Sequence, residues 1–428
     1  MKVDLEKINA FLHYGYIPDP EVLLPKSLKL FFQGDLPGNN FISLRDSELI
    51  ETGRRILKQT FKDEIESYHD KIHIIPLSGG LDSRTILANL IELIKPSSII
   101  TVTFGLPGSH NYERARSIAK KVGVKWDNID LSPGKWKWTT DLLIESAKRI
   151  KQPNRLFDAA VNQAIQLRFG KDCIYWSGFM GDSLSRISPL SNQAKTWEQA
   201  KNIFAQKNCK WGNYKLTSID FYAEKCLPER PYLNKEKLDY YSQLNYCIRQ
   251  QCFTRHIYSP VGYDIRYPFL NAKWLEFILN IPSDNRLHQS LYRKIQYSSW
   301  PYLFNEWNSP FRDSSGIKSL LQGRKSFFWK RMIYKQFPKL IRTVGPDIDM
   351  NYIDWNHAIY IQNDFINLVL SNLVDLKNRE IIYWIDFDKL YQFYRNKKVL
   401  LTSELMTLVA LEIHLKTTPF FYRFHYDH

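Results

Sequence analysis

The feature that most constrains this chain is Ser78-Gly79-Gly80-Leu81-Asp82-Ser83, set between the short apolar run Ile72 to Leu77 and the apolar-periodic stretch TILANLIELI. A buried strand that turns through paired glycines directly into a helix is the opening unit of an α/β fold. Glycine lets a backbone approach a ligand without a Cβ in the way. The first N–H groups of the next helix then face that ligand, and the helix dipole favours an anion. Ser78 and Ser83 add hydroxyl donors. A carboxylate in an anion site looks misplaced until a divalent cation is added, and Asp82 then becomes a ligand for Mg²⁺ bridging phosphates. No Gly-Lys-Ser/Thr follows and the spacing is not GxGxxG, so the loop is neither a Walker A nor a dinucleotide fingerprint.

The rest of the chain extends the pattern. Leu49, Ile50, Ile56, Leu57, Phe61 and Ile65 carry a helical period before the loop. Strands are expected at Ile99 to Phe104, Trp126 to Leu131 and Ile174 to Trp176. Helices are expected at about 111–121, with Gly123 as cap, and at about 141–150 and 157–168. Strand and helix alternate, which predicts a parallel sheet flanked by helices. Past residue 190 the strand signal fades, and KWLEFILNI and TSELMTLVALEIHLK point to helices and a helical C-terminal lobe.

Composition narrows the class. Of 428 residues, 44% are hydrophobic and 24% charged, which suits a globular chain. No apolar stretch approaches the roughly 20 residues of a membrane span, and MKVDLEKINA lacks a secretory core, so a cytoplasmic protein is expected. Cys173, Cys209, Cys226, Cys247 and Cys252 form no Cys-x-x-Cys pair and are expected as free thiols rather than zinc ligands. No GxSxG or HExxH occurs, and His110 and His256 stand without ligand partners at metal spacing. Lys and Arg number 59 against 44 Asp and Glu, a net charge of +15. These cations are dispersed, which reads first as a solvated surface with a lysine bias, then as attraction for an anionic substrate or partner, and last as nucleic-acid binding.

The loop resembles the asparagine synthetase family within the ATP pyrophosphatases marked by SGGxDS. Four further segments resemble that family in its order: LHYGYIPDPEVLLPKSLKL, TFGLPGS (103–109), SGFMGDS (177–183) and YDIRYPFLNAKWLEFILNIP (263–282). The resemblance covers about residues 12–320. It implies an N-terminal segment and helix (1–70), a synthetase-like ATP pyrophosphatase domain (71–320) and a helical C-terminal lobe (321–428). It also implies an ATP-dependent, AMP- and pyrophosphate-forming ligase joining a small or carrier-linked carboxylate to an amine or ammonia. By that resemblance, pyrophosphate lies on Ser78, Gly79, Gly80, Asp82 and Ser83. AMP lies near Leu77, Phe104, Ser177 and Gly178, and Mg²⁺ lies on Asp82 and Asp182. Arg266 is expected in a structural ion pair with Asp264.

The chain departs from the family at three places. Phe179 stands where asparagine-forming members carry an acid able to act as base or bind the amine. PFLN ends in Asn271 instead of Asp. Asn308, in the stretch Trp307 to Gly316, stands where a catalytic Lys counters pyrophosphate, leaving Lys294, Arg312 or Lys318 as replacements; Lys294 is the one taken as catalytic beside Asp82 and Asp182. Glutamine-using members begin with a Cys nucleophile, whereas this sequence begins Met1-Lys2-Val3. Nitrogen is therefore expected from free ammonia, a separate protein or the substrate's own amine, in amide or lactam biosynthesis. Two other readings remain at this point: a non-catalytic nucleotide-binding protein of the same fold, and a nucleic-acid-modifying ATP pyrophosphatase.

Overall fold

The computed structural model describes residues 2–36, 41–68, 70–304, 352–396 and 399–423. Asn308, Arg312, Lys318 and the whole Trp307 to Gly316 stretch lie outside them.

Five parallel strands form the central sheet: β2 (His73–Pro76), β3 (Ile99–Gly105), β4 (Lys125–Asp130), β5 (Ile174–Trp176) and β6 (Asp264–Arg266). Their order is β4-β3-β2-β5-β6. A second, two-stranded sheet joins the chain's ends, with β1 (Lys2–Val3) antiparallel to β7 (Tyr422–Arg423). Period-two alternation sends neighbouring side chains to opposite faces. Ile74, Ile100 and Tyr175 enter an apolar core shared with the C-terminal helices. Ile75, Ile99 and Trp176 enter a second core beneath Asp46–Ile65, Leu81–Leu93 and Ser290–Ser299. Both faces of the sheet are therefore covered, as all-parallel sheets require.

The α/β class with a helical C-terminal region is the observed one. Helices Trp355–Ile361, Asn363–Asn378, Phe387–Asn396 and Thr402–Thr417 make up that region. One strand departs from expectation. The Arg-x-Pro-Phe-Leu block contributes β6, with Arg266 opposite Trp176. Three residues bounded by Asp264 and Arg266 carry no apolar run, so only pairing with β5 makes them a strand. Arg266 itself is structural. It donates to Asp264 at 3.1 Å and Glu64 at 3.5 Å, and its guanidinium lies 4.2 Å from the Tyr68 ring centre.

β2 is where the sheet's growth reverses: β3 and β4 extend one way, β5 and β6 the other. Loops after such strands leave a crevice at their carboxyl ends. The Ser78–Ser83 loop, the turn after β3 and the SGFMGDS loop after β5 all open there.

Candidate nucleotide and metal site

The crevice is a cavity of about 610 Å³, lined by Leu77, Ser78, Gly79, Gly80, Asp82, Ser83, Phe104, Ser177, Gly178 and Asp182 among others. These are all of the expected nucleotide and metal residues. Lys294 is not among them.

The loop is tied to itself through its serines. Ser83 Oγ accepts from the Ser78 amide at 3.2 Å and lies 3.1 Å from Ser78 Oγ, which accepts from the Gly80 amide at 3.2 Å. Arg84, buried, donates to Gly80 O at 3.1 Å and Leu303 O at 3.1 Å, and its guanidinium stands 4.8 Å from the Phe304 ring centre. Burial lowers its pKa to about 10. The glycines serve close approach, not left-handed backbone, since neither Gly79 nor Gly80 has positive φ. A Cβ on Gly79 would stand 2.5 Å from Asn111 Oδ1 and 2.9 Å from Arg114 Cδ.

The second loop fits the first at the same intimacy. A Cβ on Gly181 would lie 2.5 to 2.8 Å from the Asp82 carboxyl group, and one on Gly178 would lie 3.0 Å from Asp82 Cβ. The missing side chains let the Asp182 amide donate to Asp82 Oδ2 at 3.0 Å. Met180 enters this short helix at φ +71, which is uncommon for a non-glycine residue and is the kind of strain functional turns hold. Asp182 remains largely exposed, with Arg186 3.8 Å from its carboxylate.

Asp82 is the electrostatic centre. Burial, reinforced by the charge of Asp182, pushes its carboxyl up to about 7. Two donors oppose the shift: the Asp182 amide and the buried phenol of Tyr292, whose hydroxyl lies 2.9 Å from Asp82 Oδ1. No Lys or Arg forms an ion pair with Asp82 among the described residues. A buried carboxylate with no cation paired to it, close to the exposed Asp182 that Arg186 faces at 3.8 Å, matches the donor chemistry of a hard divalent ion that also takes phosphate oxygens. The residues therefore fit Mg²⁺, which Asp82 and Asp182 would hold. Among the described residues there is no group of three or more His, Cys, Asp or Glu side chains able to hold a metal unaided.

Lys294 lies elsewhere. It forms an exposed ion pair with Asp46 at 2.5 Å. Tyr292 sits on the same helix, two residues earlier. Two helical residues are about 200° apart, so the tyrosine that faces Asp82 turns the lysine away from it. Tyr292 was not marked by any sequence motif. Phe179 is buried at the cavity wall, edge-on to Tyr267 with centroids 5.7 Å apart.

No helix among the described residues is long and apolar enough to cross a membrane. No protein-family model matches the chain. The chain is 23% identical over 261 residues, 60% of its length, to a probable asparagine synthetase (glutamine-hydrolyzing) of Acanthamoeba polyphaga mimivirus, and it covers 41% of that relative.

Proposed function

We infer that this protein is an ATP-dependent ligase that forms an amide from a carboxylate and an amine, releasing AMP and pyrophosphate. The observation that carries this reading is the meeting of Asp82 with Asp182 beside the Ser78–Ser83 loop, all lining one cavity at the sheet's switch point. The similarity to a protein named as a probable asparagine synthetase supports the same class of reaction.

On this reading each part of the site has a task. The loop's serine hydroxyls exchange their mutual hydrogen bonds for phosphate oxygens. The N-terminus of helix Leu81–Leu93 adds its partial positive charge. Leu77, Phe104, Ser177 and Gly178 hold the adenosine portion at the strand ends. Asp82 and Asp182 would hold Mg²⁺, which would supply positive charge against the pyrophosphate oxygens. The substrate carboxylate oxygen attacks the α-phosphorus and pyrophosphate leaves. The amine then attacks the acyl carbon, its nitrogen gives up a proton to solvent, and AMP departs with the electron pair of the carbon–oxygen bond. Amide or lactam formation in a biosynthetic pathway is the form of the reaction we favour.

Phe179 favours a second reading. A phenyl ring packed on Tyr267 cannot accept a proton from an incoming amine, so the chain is alternatively a nucleotide-binding protein that lacks the second half reaction. Acid-dependent exchange of labelled pyrophosphate into ATP, followed by amine-dependent AMP release, separates the two. The ligase gives both. Binding of Mg-ATP without amine-dependent AMP release, whether or not exchange occurs, gives the second reading, and failure to bind Mg-ATP removes both.

A further inference from the structure

Among the described residues, Tyr352 is where the C-terminal helical region reaches the cavity. It lies three residues before helix Trp355–Ile361, far in sequence from the three loops of the sheet. Its placement begins at the end of β3. Gly105 there has φ +147, a backbone conformation that side chains rarely adopt, and a Cβ on it would stand 3.0 Å from Tyr352 O. With that space open, the Leu106 amide donates to Tyr352 O at 3.0 Å, while Gly105 O accepts from the Leu131 amide at 3.0 Å. The segment is thus fastened onto the strand end that carries Phe104. Beyond it, Ile353 is buried in the core shared with the C-terminal helices. The Asp354 carboxylate caps the next helix, accepting from the His357 amide at 3.1 Å.

The Tyr352 ring is half-buried and braced from two sides. Phe104 meets it at 5.2 Å between centres and Trp355 at 6.0 Å. Both pairs are near perpendicular, so neither neighbour stacks parallel on the ring. Trp355 continues the series inward, 5.3 Å from Trp138 and 5.7 Å from Phe157. Phe157 opens the helix Phe157–Phe169, whose Gln166 also lines the cavity. Gln166 Oε1 is buried without a hydrogen-bond partner, and a buried acceptor of this kind costs free energy until a donor completes it. Braced rings and an amide short of a donor suit a flat heterocycle that bears an amino group. A ring already held in place also loses little freedom when such a ligand arrives.

We propose that Tyr352 is the aromatic platform on which the adenine base of the nucleotide rests, so that the C-terminal helical region completes the nucleotide site. The proposal rests on the nucleotide-binding part of the proposed function and is independent of the ligase chemistry. It also makes the two events reciprocal: a base that binds Tyr352 stabilises the packing of helix Trp355–Ile361, and that packing favours the base.

The test is calorimetric titration of the full chain with Mg-ATP and with magnesium tripolyphosphate, which carries phosphates without a base. Tyr352→Leu keeps apolar bulk and removes the π face. It should weaken Mg-ATP binding about fivefold or more, the low end of what base–aromatic stacking contributes, and change tripolyphosphate affinity less than twofold. Tyr352→Phe keeps the ring and should stay within twofold for both. In the wild-type chain, Mg-ATP should slow amide hydrogen exchange in helix Trp355–Ile361, and tripolyphosphate should not. Unchanged Mg-ATP affinity in folded Tyr352→Leu overturns the proposal while the nucleotide reading stands. So does an equal loss for Mg-ATP and tripolyphosphate, which would make Tyr352 a support of the site as a whole. Should Tyr352→Leu not fold, the wild-type exchange experiment decides, and unslowed exchange in that helix overturns the proposal. Failure of the wild-type chain to bind Mg-ATP removes the proposal and the nucleotide reading together.

Discussion

Tyr292 donates to Asp82 across 210 residues of sequence, its hydroxyl 2.9 Å from Oδ1. The phenol is buried and is itself braced, with Thr85 Oγ1 at 3.4 Å accepting in turn from Gln296 Nε2 at 2.6 Å. This hydrogen bond favours the ionised form of a carboxyl that burial would otherwise keep protonated.

Removing the phenol should therefore raise the Asp82 pKa further. Tyr292→Phe should weaken Mg-ATP binding by about 1–2 kcal/mol near neutral pH, the scale of one hydrogen bond to a charged group. The loss should shrink above pH 8, where Asp82 ionises regardless. Affinity measured from pH 6 to 9 checks both points.

The same carboxyl gives the unliganded protein a pH signature. Its folded value, about 7, lies above the ordinary carboxylate value of 3.8. The folded state thus holds the proton more tightly than the unfolded chain. The stability this contributes is complete below the ordinary value and is lost as pH rises through about 7. Asp82→Asn should flatten that part of the stability profile, measured by denaturant unfolding between pH 4 and 8 without magnesium or nucleotide.

Gly181 tests the close approach of the two loops. A methyl group there would meet the Asp82 carboxyl oxygens at 2.6 and 2.8 Å. Gly181→Ala should displace Asp82 from Asp182, destabilise the fold by about 1–3 kcal/mol as other overpacked sites do, and weaken Mg-ATP binding at least tenfold. Gly212→Ala, where an added Cβ meets nothing within 4 Å, should leave affinity unchanged.

Lys294 provides the opposite expectation. Its ion pair with Asp46 is exposed on both sides, and such pairs contribute about 0–1 kcal/mol. Lys294→Ala should leave Mg-ATP affinity within twofold of wild type.

The legibility of this chain follows its physics. The Ser78–Ser83 loop and the SGFMGDS loop are legible because short β-branched or apolar runs lead into glycines, a local signal. Helix and strand alternation likewise exposed most of the parallel sheet. β6 escaped because Asp264-Ile265-Arg266 becomes a strand only through its pairing with β5. Tyr292 escaped because a tyrosine in a helix carries no mark of what it faces. The charge of Lys294 is visible in the sequence, but the helical rotation that turns it toward Asp46 is not.

The most direct measurement is titration of Mg-ATP into the wild-type protein and into Asp82→Asn and Asp182→Asn, with and without magnesium. The account predicts magnesium-dependent binding by wild type and at least a tenfold loss in each variant, with folding retained by circular dichroism. Wild-type affinity in folded Asp82→Asn would contradict it.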